Sequence, residues 1–263
     1  MKVINDLLNY KNMKIVQDED YFNFSLDSVL LPNFVTLNSR INRILDLGTG
    51  NAPIPMILST RTDVPIYGVE IQKELYDLAV ESVKMNNLDN QITIINDDMK
   101  NLDKYFEINS FDVIVSNPPY FRLNEESNIN DSIQKTIARH EKHITLAELV
   151  TIAKKYLNNN GTFAIVHRTE RLIEIIEEFK KNNIEPKRIQ LIYPKEGTES
   201  NMVLVEGRKN GKPGLKFLSP IIAHNEDGSY TEIVKSMFTE RGWTNEINSR
   251  SRKSWKRIWK HKT

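Results

Sequence analysis

Two stretches of this chain hold residues whose types and spacing could do chemistry. In "VIVSNPPYF", Val113 to Phe121, a run of apolar and β-branched residues reads as a buried strand, yet the strand stops on Asn117, Pro118, Pro119 and Tyr120. A side-chain amide, a proline carbonyl and an aromatic face on a turn stiffened by two prolines are odd punctuation for a simple turn. In "RILDLGTGNAPIP", a strand ends in Asp46, passes Gly48 and Gly50, and opens a helix at Ala52 or Pro53. Glycines there let the backbone pass close to a ligand, and helix N-terminal amides favour an anionic group such as a carboxylate. Glu70 closes the next strand, 24 residues after Asp46, where a carboxylate can accept both ribose hydroxyls of a nucleoside cofactor. The third strand ends in "NDDM", with Asp98 and Met99. Any one of these acids could be a helix N-cap. Three of them at the C-terminal ends of successive strands converge on the crevice where open α/β sheets bind ligands. Asn51 and Ile71, beside these acids, complete the candidate cofactor contacts along this part of the chain.

The elements that must position these residues alternate. From residue 43 the blocks run "RILDLG", "PIPMILST", "PIYGVE", "KELYDLAVESVKMNN", "QITIIND", "FDVIVSN", "TLAELVTIAKKYLNN" and "GTFAIVHR". This order predicts a doubly wound parallel sheet. In the fourth block Leu75, Leu78, Ala79, Val83 and Met85 recur at about helical spacing, giving one apolar face to lay on the sheet. A further helix, "ERLIEIIEEFKKNN", is followed by "RIQLIYP" and "MVLVEGRKN", separated only by "KEGTES". That connection is too short for a parallel crossover, so the last two strands should pair antiparallel. Residues 211–263 read as a looser C-terminal region, and no internal repeat is found.

This arrangement resembles the class I methyltransferase fold: a Rossmann-like α/β architecture with a seven-stranded, mostly parallel sheet, an antiparallel edge hairpin and helices on both faces. The glycine loop has Gly-x-Gly spacing with Pro53 at the third position, which departs from the G-x-G-x-x-G of a Rossmann dehydrogenase. It is similar to the D-x-G-x-G loop of S-adenosylmethionine-dependent methyltransferases, although those loops often carry a third glycine where Ala52 stands. The resemblance implies S-adenosylmethionine as cofactor, S-adenosylhomocysteine as product, and Asp98 accepting from the adenine amino group with Met99 alongside the ring. In methyltransferases that act on planar nitrogen, "NPPY" meets a physical need, because an aromatic amine's lone pair is delocalised into its ring. The Asn117 side-chain oxygen and the Pro118 carbonyl can take both amino hydrogens and favour a more tetrahedral nitrogen. The prolines aim those acceptors, and Tyr120 offers a face for the base. Asn117 thus counts as both a catalytic and a cofactor-side residue. No strong general base is needed, since the sulfonium is already an activated methyl donor.

Composition narrows the field. At 263 residues and 39% hydrophobic, the chain is long enough for one large α/β domain, expected over residues 1–240 with an N-terminal cap over 1–42. No segment approaches the roughly 18 uninterrupted apolar residues of a spanning helix, and "MKVINDLLNYKNMK" has no signal-peptide core. A cytoplasmic protein with no membrane partner and no metal is expected. The absence of cysteine excludes thiolate metal sites, iron–sulfur ligation and a cysteine nucleophile, and with it covalent carbon-5 pyrimidine methylation. Residues 241–263 hold eight Lys or Arg against one acid, while the rest of the chain is net acidic. Such a basic end suggests contact with a polyanion, against the plain alternative of a solvated tail. It ends "SRKSWKRIWKHKT", where Arg252, Lys253, Lys256 and Arg257 flank Trp255 and Trp259, a pair that could stack on bases or pack on the body. Between Phe121 and Thr145 lies a long segment without periodicity, read as a functional lid or disorder.

Taken with "NDLLNY", "KIVQDEDYFNFSLDSVLL", "ARHE" and "GSYTEIV", the chain resembles the bacterial tRNA1(Val) adenine-N6 methyltransferase family over residues 4 to about 238. The resemblance implies methylation of the adenosine just 3′ of the anticodon, position 37, in one tRNA. It also implies that Phe24 and Asp27 wall the cofactor's methionine end. Tyr120, Phe121, Arg139 and His140, with the tail cations, are the candidate substrate contacts, although "ARHE" could equally pair with itself on the surface. The oligomeric expectation is a monomer or a homodimer. Rival readings remain at this point. Release-factor glutamine-N5 methyltransferases carry an N-terminal helical domain for which the residues before the glycine loop are too few. Adenine-specific DNA methyltransferases need a target-recognition domain of a size not visible here. Guanine-N2 rRNA methyltransferases stay open, and a non-catalytic RNA-binding protein is disfavoured by the persistence of Asp46, Glu70, Asp98 and Asn117.

Overall fold

The computed structural model describes residues 1–7, 12–18, 25–118 and 144–239. The chain opens with an antiparallel hairpin, β1 (Lys2–Asp6) and β2 (Lys14–Asp18), followed by α1 (Leu26–Phe34). The alternating part then runs β3 (Ile44–Leu47), α2 (Pro53–Ser59), β4 (Ile66–Glu70), α3 (Lys73–Met85), β5 (Ile92–Asn96), a 3-10 turn (Met99–Lys104) and β6 (Phe111–Ser116). Beyond residue 143 come α4 (Leu146–Tyr156), β7 (Leu157–Arg168), α5 (Leu172–Lys181), β8 (Ile184–Tyr193) and β9 (Met202–Lys209). Two short strands, β10 (Lys216–Phe217) and β11 (Ile221–Ile222), and the helix α6 (Glu232–Met237) complete the described chain.

The sheet order is β10-β8-β9-β7-β6-β3-β4-β5, with β11 also on β8. Only β9 runs antiparallel to its neighbours β7 and β8. The seven expected strands are therefore present as β3 to β9, in a class I methyltransferase arrangement with the antiparallel hairpin beyond β7. Beyond it, β10 and β11 extend the sheet by pairing parallel to β8. Residues 211–239, expected to be loose, are instead ordered on that edge, with Ile221, Val234 and Met237 buried in the core. Apolar pairs this short carry no readable period, which is why the sequence reading passed over them.

Alternation along the strands builds two apolar layers. Ile44, Val113 and Val115 face α1, α2 and α3, whereas Leu45, Leu47 and Ile114 face α4 and α5. Every residue of β3 is buried, as a strand covered on both faces requires. The N-terminal hairpin lies against α3, and side chains satisfy its outer backbone groups. Ser82 Oγ accepts from Val16 N at 2.9 Å, and the Asn86 amide exchanges hydrogen bonds with the Lys14 backbone at 2.9 and 2.7 Å. No helix among the described residues is long and apolar enough to cross a membrane. The chain moves outward from β3 to β5, then returns to β6, so strand order reverses between β3 and β6 and opens a crevice at their carboxyl ends.

Candidate active site

The floor of the crevice is the loop after β3. Gly48, Gly50 and Ala52 have φ of 75°, 57° and 67°, a left-handed run that turns the chain sharply into α2. Ala52 occupies the position where a glycine would escape a cost of about 1 kcal/mol. The amides of Gly48 and Thr49 both donate to Val69 O at 3.0 Å, which fastens the loop to the end of β4. A Cβ built on Gly50 would meet nothing within 4 Å, and one on Gly48 would meet only Met99 Cε, at 3.8 Å. The loop backbone is thus open to close approach by a ligand. Gly68, in the neighbouring strand, is required by crowding, since a Cβ there would lie 2.9 Å from the Thr49 side chain.

Asp46 is fully buried, and its Oδ2 accepts from Thr49 Oγ1 at 2.7 Å while its Oδ1 has no partner. Burial pushes its carboxyl up to about 7, against the Thr49 hydrogen bond and helped by the nearby Glu70 carboxylate. Glu70 is also buried; its Oε2 accepts from Gly50 N and its Oε1 from Gln72 N, both at 2.9 Å. Burial raises its carboxyl above the usual range in spite of these bonds. Each carboxylate oxygen can accept more than one hydrogen, so acceptor capacity remains on both acids. A buried acid with an orphaned oxygen, a second acid a loop away and an open glycine backbone fit a ligand that brings a cation or donors to Asp46 and hydroxyls to Glu70.

At the end of β5, Asn96 Nδ2 donates to the carbonyls of Glu70 and Ile71 at 2.9 and 3.3 Å, joining this rim to the end of β4. Ile71 stands half out of the protein, 38% exposed. Asp98 caps the 3-10 turn by accepting from Lys100 N at 2.9 Å. Its neighbour Asp97 accepts from Asn101, Lys104 and Tyr105, and those bonds hold it far below the usual carboxylate range.

The end of β6 is bolted to the end of β3 by Ser116 Oγ, which donates to Leu47 O at 2.7 Å. Asn117 follows directly, and its Nδ2 approaches Ser28 Oγ in the first turn of α1 at 3.4 Å. Asp27, one residue earlier and 4% exposed, accepts from Ser28 N and Ser25 Oγ. Contacts therefore gather Asp46, Gly48, Gly50, Glu70 and Met99 around the glycine loop, and Asn117 meets Ser28, next to Asp27, in the first turn of α1; Pro118, next along, is partly exposed. Asn51, expected among the cofactor contacts, also has a structural task. Its side chain is buried and donates to Val16 O at 3.0 Å, holding the N-terminal hairpin. Phe24, Pro119, Tyr120, Phe121, Arg139, His140, Arg252, Lys253, Lys256 and Arg257 lie outside the described residues. Sequence reasoning missed Thr49, whose hydroxyl three residues after a loop acid was a usable signal. It also missed Ser28, whose partner lies 89 residues away and leaves no local mark.

Known proteins resemble this chain in sequence and in fold. Over 230 residues, 87% of this chain and 93% of the relative, the chain is 27% identical to the tRNA1(Val) (adenine(37)-N6)-methyltransferase of Actinobacillus pleuropneumoniae. A protein of the same name from Bacteroides thetaiotaomicron is 26% identical over 89% of this chain and 98% of its own length. Among solved structures, a predicted O-methyltransferase from Agrobacterium tumefaciens superposes with a TM-score of 0.64 at 21% identity, over 81% of this chain and 95% of that one. Geranyl diphosphate C-methyltransferase from Streptomyces coelicolor, in complex with S-adenosyl-L-homocysteine, gives 0.53 at 12% identity over 69% of this chain and 76% of that one. These two show a shared fold. The model of the N-6 DNA methylase family matches residues 51–190, from the glycine loop into β8 and more than half of the sequence, and the chain belongs to that family.

Proposed function

We propose that this protein transfers the methyl group of S-adenosylmethionine to the exocyclic N6 of an adenosine in a tRNA anticodon loop, position 37 of a tRNA1(Val)-type substrate, in the cytoplasm. The observation that carries this reading is the placement of Asn117, which the Ser116–Leu47 bond sets at the lip of the Asp46–Glu70 crevice. The names of the relatives, which span nearly their whole length, support the tRNA substrate. Family membership supports an amino nitrogen as the target.

In this reading the orphaned Asp46 oxygen and the open backbone of Gly48 and Gly50 face the cofactor's methionine portion, with Asp27 and Phe24 beside it. Glu70 accepts from the ribose hydroxyls, Ile71 and Met99 flank the adenine, and Asp98 accepts from its amino group. The cofactor supplies a methyl group activated on a sulfonium. Asn117 Oδ1 and the Pro118 carbonyl accept the two hydrogens of the target amine, which withdraws its lone pair from the ring and aims it at the methyl group. As the N–CH3 bond formed and the S–CH3 bond broke, neutral S-adenosylhomocysteine would be released, and the methylated nitrogen would then lose one of its hydrogens as a proton to water, so no side chain would need to act as a strong base. Pro119 stiffens this turn, Tyr120 and Phe121 stack the flipped base, and Arg139 and His140 touch the substrate. Arg252, Lys253, Lys256 and Arg257 hold phosphates.

The test is a comparison of acceptors. Purified protein with labelled S-adenosylmethionine should label unmodified tRNA well above rRNA, duplex DNA or a release factor. Label chiefly on DNA would move the substrate to the one in the family's name, and label on rRNA or protein would overturn the tRNA reading.

A further inference from the structure

The opposite end of the sheet holds a polar cleft of about 470 Å³ that the proposed reaction does not use. It lies before the N-terminal ends of β3 and β6, beside the first half of β7 and the last residues of β9, and Arg40, Ser39, Asn160, Thr162, Arg208 and Asp112 are among its lining. The pairing of β6 with β7 shifts register between Phe111 and Val113, and this irregularity opens the ladder there.

The arginines single this place out. Of the seven described, Arg43 lies over the rings of Tyr67, Phe106 and Phe111, Arg61 donates to backbone carbonyls, Arg171 and Arg188 pair with Glu174 and Glu206, and Arg168 is also engaged. The guanidiniums of Arg40 and Arg208 alone have no partner among the described residues, and both line this one cleft. Both side chains belong to exposed residues. Two features that would repel an anion are masked. The Asp112 carboxylate is occupied by Asn42 N and Asn158 Nδ2 at 2.7 Å and Arg43 N at 3.3 Å. The carbonyl end of α4 is capped by the buried Lys209, whose Nζ donates to Lys154 O and Leu157 O at 2.8 Å.

Two guanidiniums with amide and hydroxyl donors match the oxygens of a phosphate. The volume exceeds what a lone phosphate fills and falls in the range of small-molecule sites, roughly 300–1,000 Å³. We propose that this cleft binds the phosphate of a nucleotide, either free or within an RNA backbone. The proposal stands apart from the methyl-transfer reading and does not need it.

Two probes separate the sources. Adenosine 5′-monophosphate is titrated calorimetrically into protein saturated with S-adenosylhomocysteine, so that the crevice is occupied, and total tRNA binding is measured across a salt series. Both are repeated with the Arg40→Gln/Arg208→Gln variant and with each single variant, using S-adenosylhomocysteine affinity as the control for folding. A free-nucleotide site predicts monophosphate binding that weakens about tenfold or more in the double variant and partly in each single one. An RNA-backbone site predicts instead that the slope of log affinity against log salt for tRNA flattens by about 1.4 to 1.8 in the double variant. Neither change, with cofactor-site affinity intact, overturns the proposal.

Discussion

At the scale of single residues, Asp46 departs strongly from the ordinary chemistry of its type. Its carboxyl is pushed up to about 7, chiefly by burial. The folded state therefore binds a proton that the unfolded state releases between the ordinary value of 3.8 and about 7, so this residue's contribution to stability falls as pH rises through that window. Asp46→Asn should accordingly raise the melting temperature of the ligand-free protein more at about pH 8 than at about pH 5. An equal gain at both would contradict the buried, proton-linked carboxyl. A cation bound beside Asp46 favours the carboxylate, so calorimetric affinity for S-adenosylmethionine should rise as pH increases through about 7. That dependence should vanish in Asp46→Asn. How much of this was legible in the sequence differs by residue. Asp46, Glu70, Gly48 and Gly50 could be read because strand ends and glycine spacing are local, and local order places them in one crevice. The buried state of Asp46, the Thr49 bond that holds it and the Gly68 that makes room for Thr49 are tertiary facts. Asn51 shows the limit most clearly: it sits within the loop motif, but its side chain faces a hairpin strand 35 residues earlier.

At the scale of elements, the parallel order was readable because its strands and helices carry apolar runs or periods, whereas β10 and β11 are two residues each and β1, exposed along almost all its length, has no buried face to mark it. The antiparallel β8–β9 pair followed from the shortness of "KEGTES", and the structure pairs them across eight registered positions. The T-x-x-E of Thr145–Glu148 marks the start of α4 as a capping box, but nothing in the pattern announced how its C-terminal end is held. Lys209, on the last strand of that hairpin, is 7% exposed and donates from one ammonium to Asn109 Oδ1, Lys154 O and Leu157 O. It closes the C-terminal end of α4 in place of a glycine cap. Burial lowers its ammonium below the ordinary lysine value. Lys209→Met keeps much of the stem's packing but strands three acceptors, and should cost about 2 kcal/mol in denaturant unfolding. A loss within error would show that water replaces the ammonium without penalty. Cofactor affinity should be unchanged, because this end of the sheet lies opposite the crevice.

At the scale of the whole molecule, charge is distributed unevenly: the last 23 residues carry eight cations and one acid on an otherwise acidic chain. If that segment holds RNA phosphates, deleting residues 241–263 should weaken tRNA binding and flatten its salt dependence while leaving S-adenosylmethionine binding intact. Unchanged tRNA affinity would assign the segment another task. The fold, the crevice at the switch between β3 and β6, and the amide poised at its lip serve one central claim, that an adenine amino group is the atom methylated. The most direct measurement digests tRNA labelled by the protein to nucleosides and identifies the labelled one, with Asn117→Ala in parallel at saturating S-adenosylmethionine. The account predicts label in N6-methyladenosine, lost by roughly a hundredfold or more in Asn117→Ala with cofactor affinity retained. Label in a methylguanosine, or N6-methyladenosine formed equally well by Asn117→Ala, would contradict it.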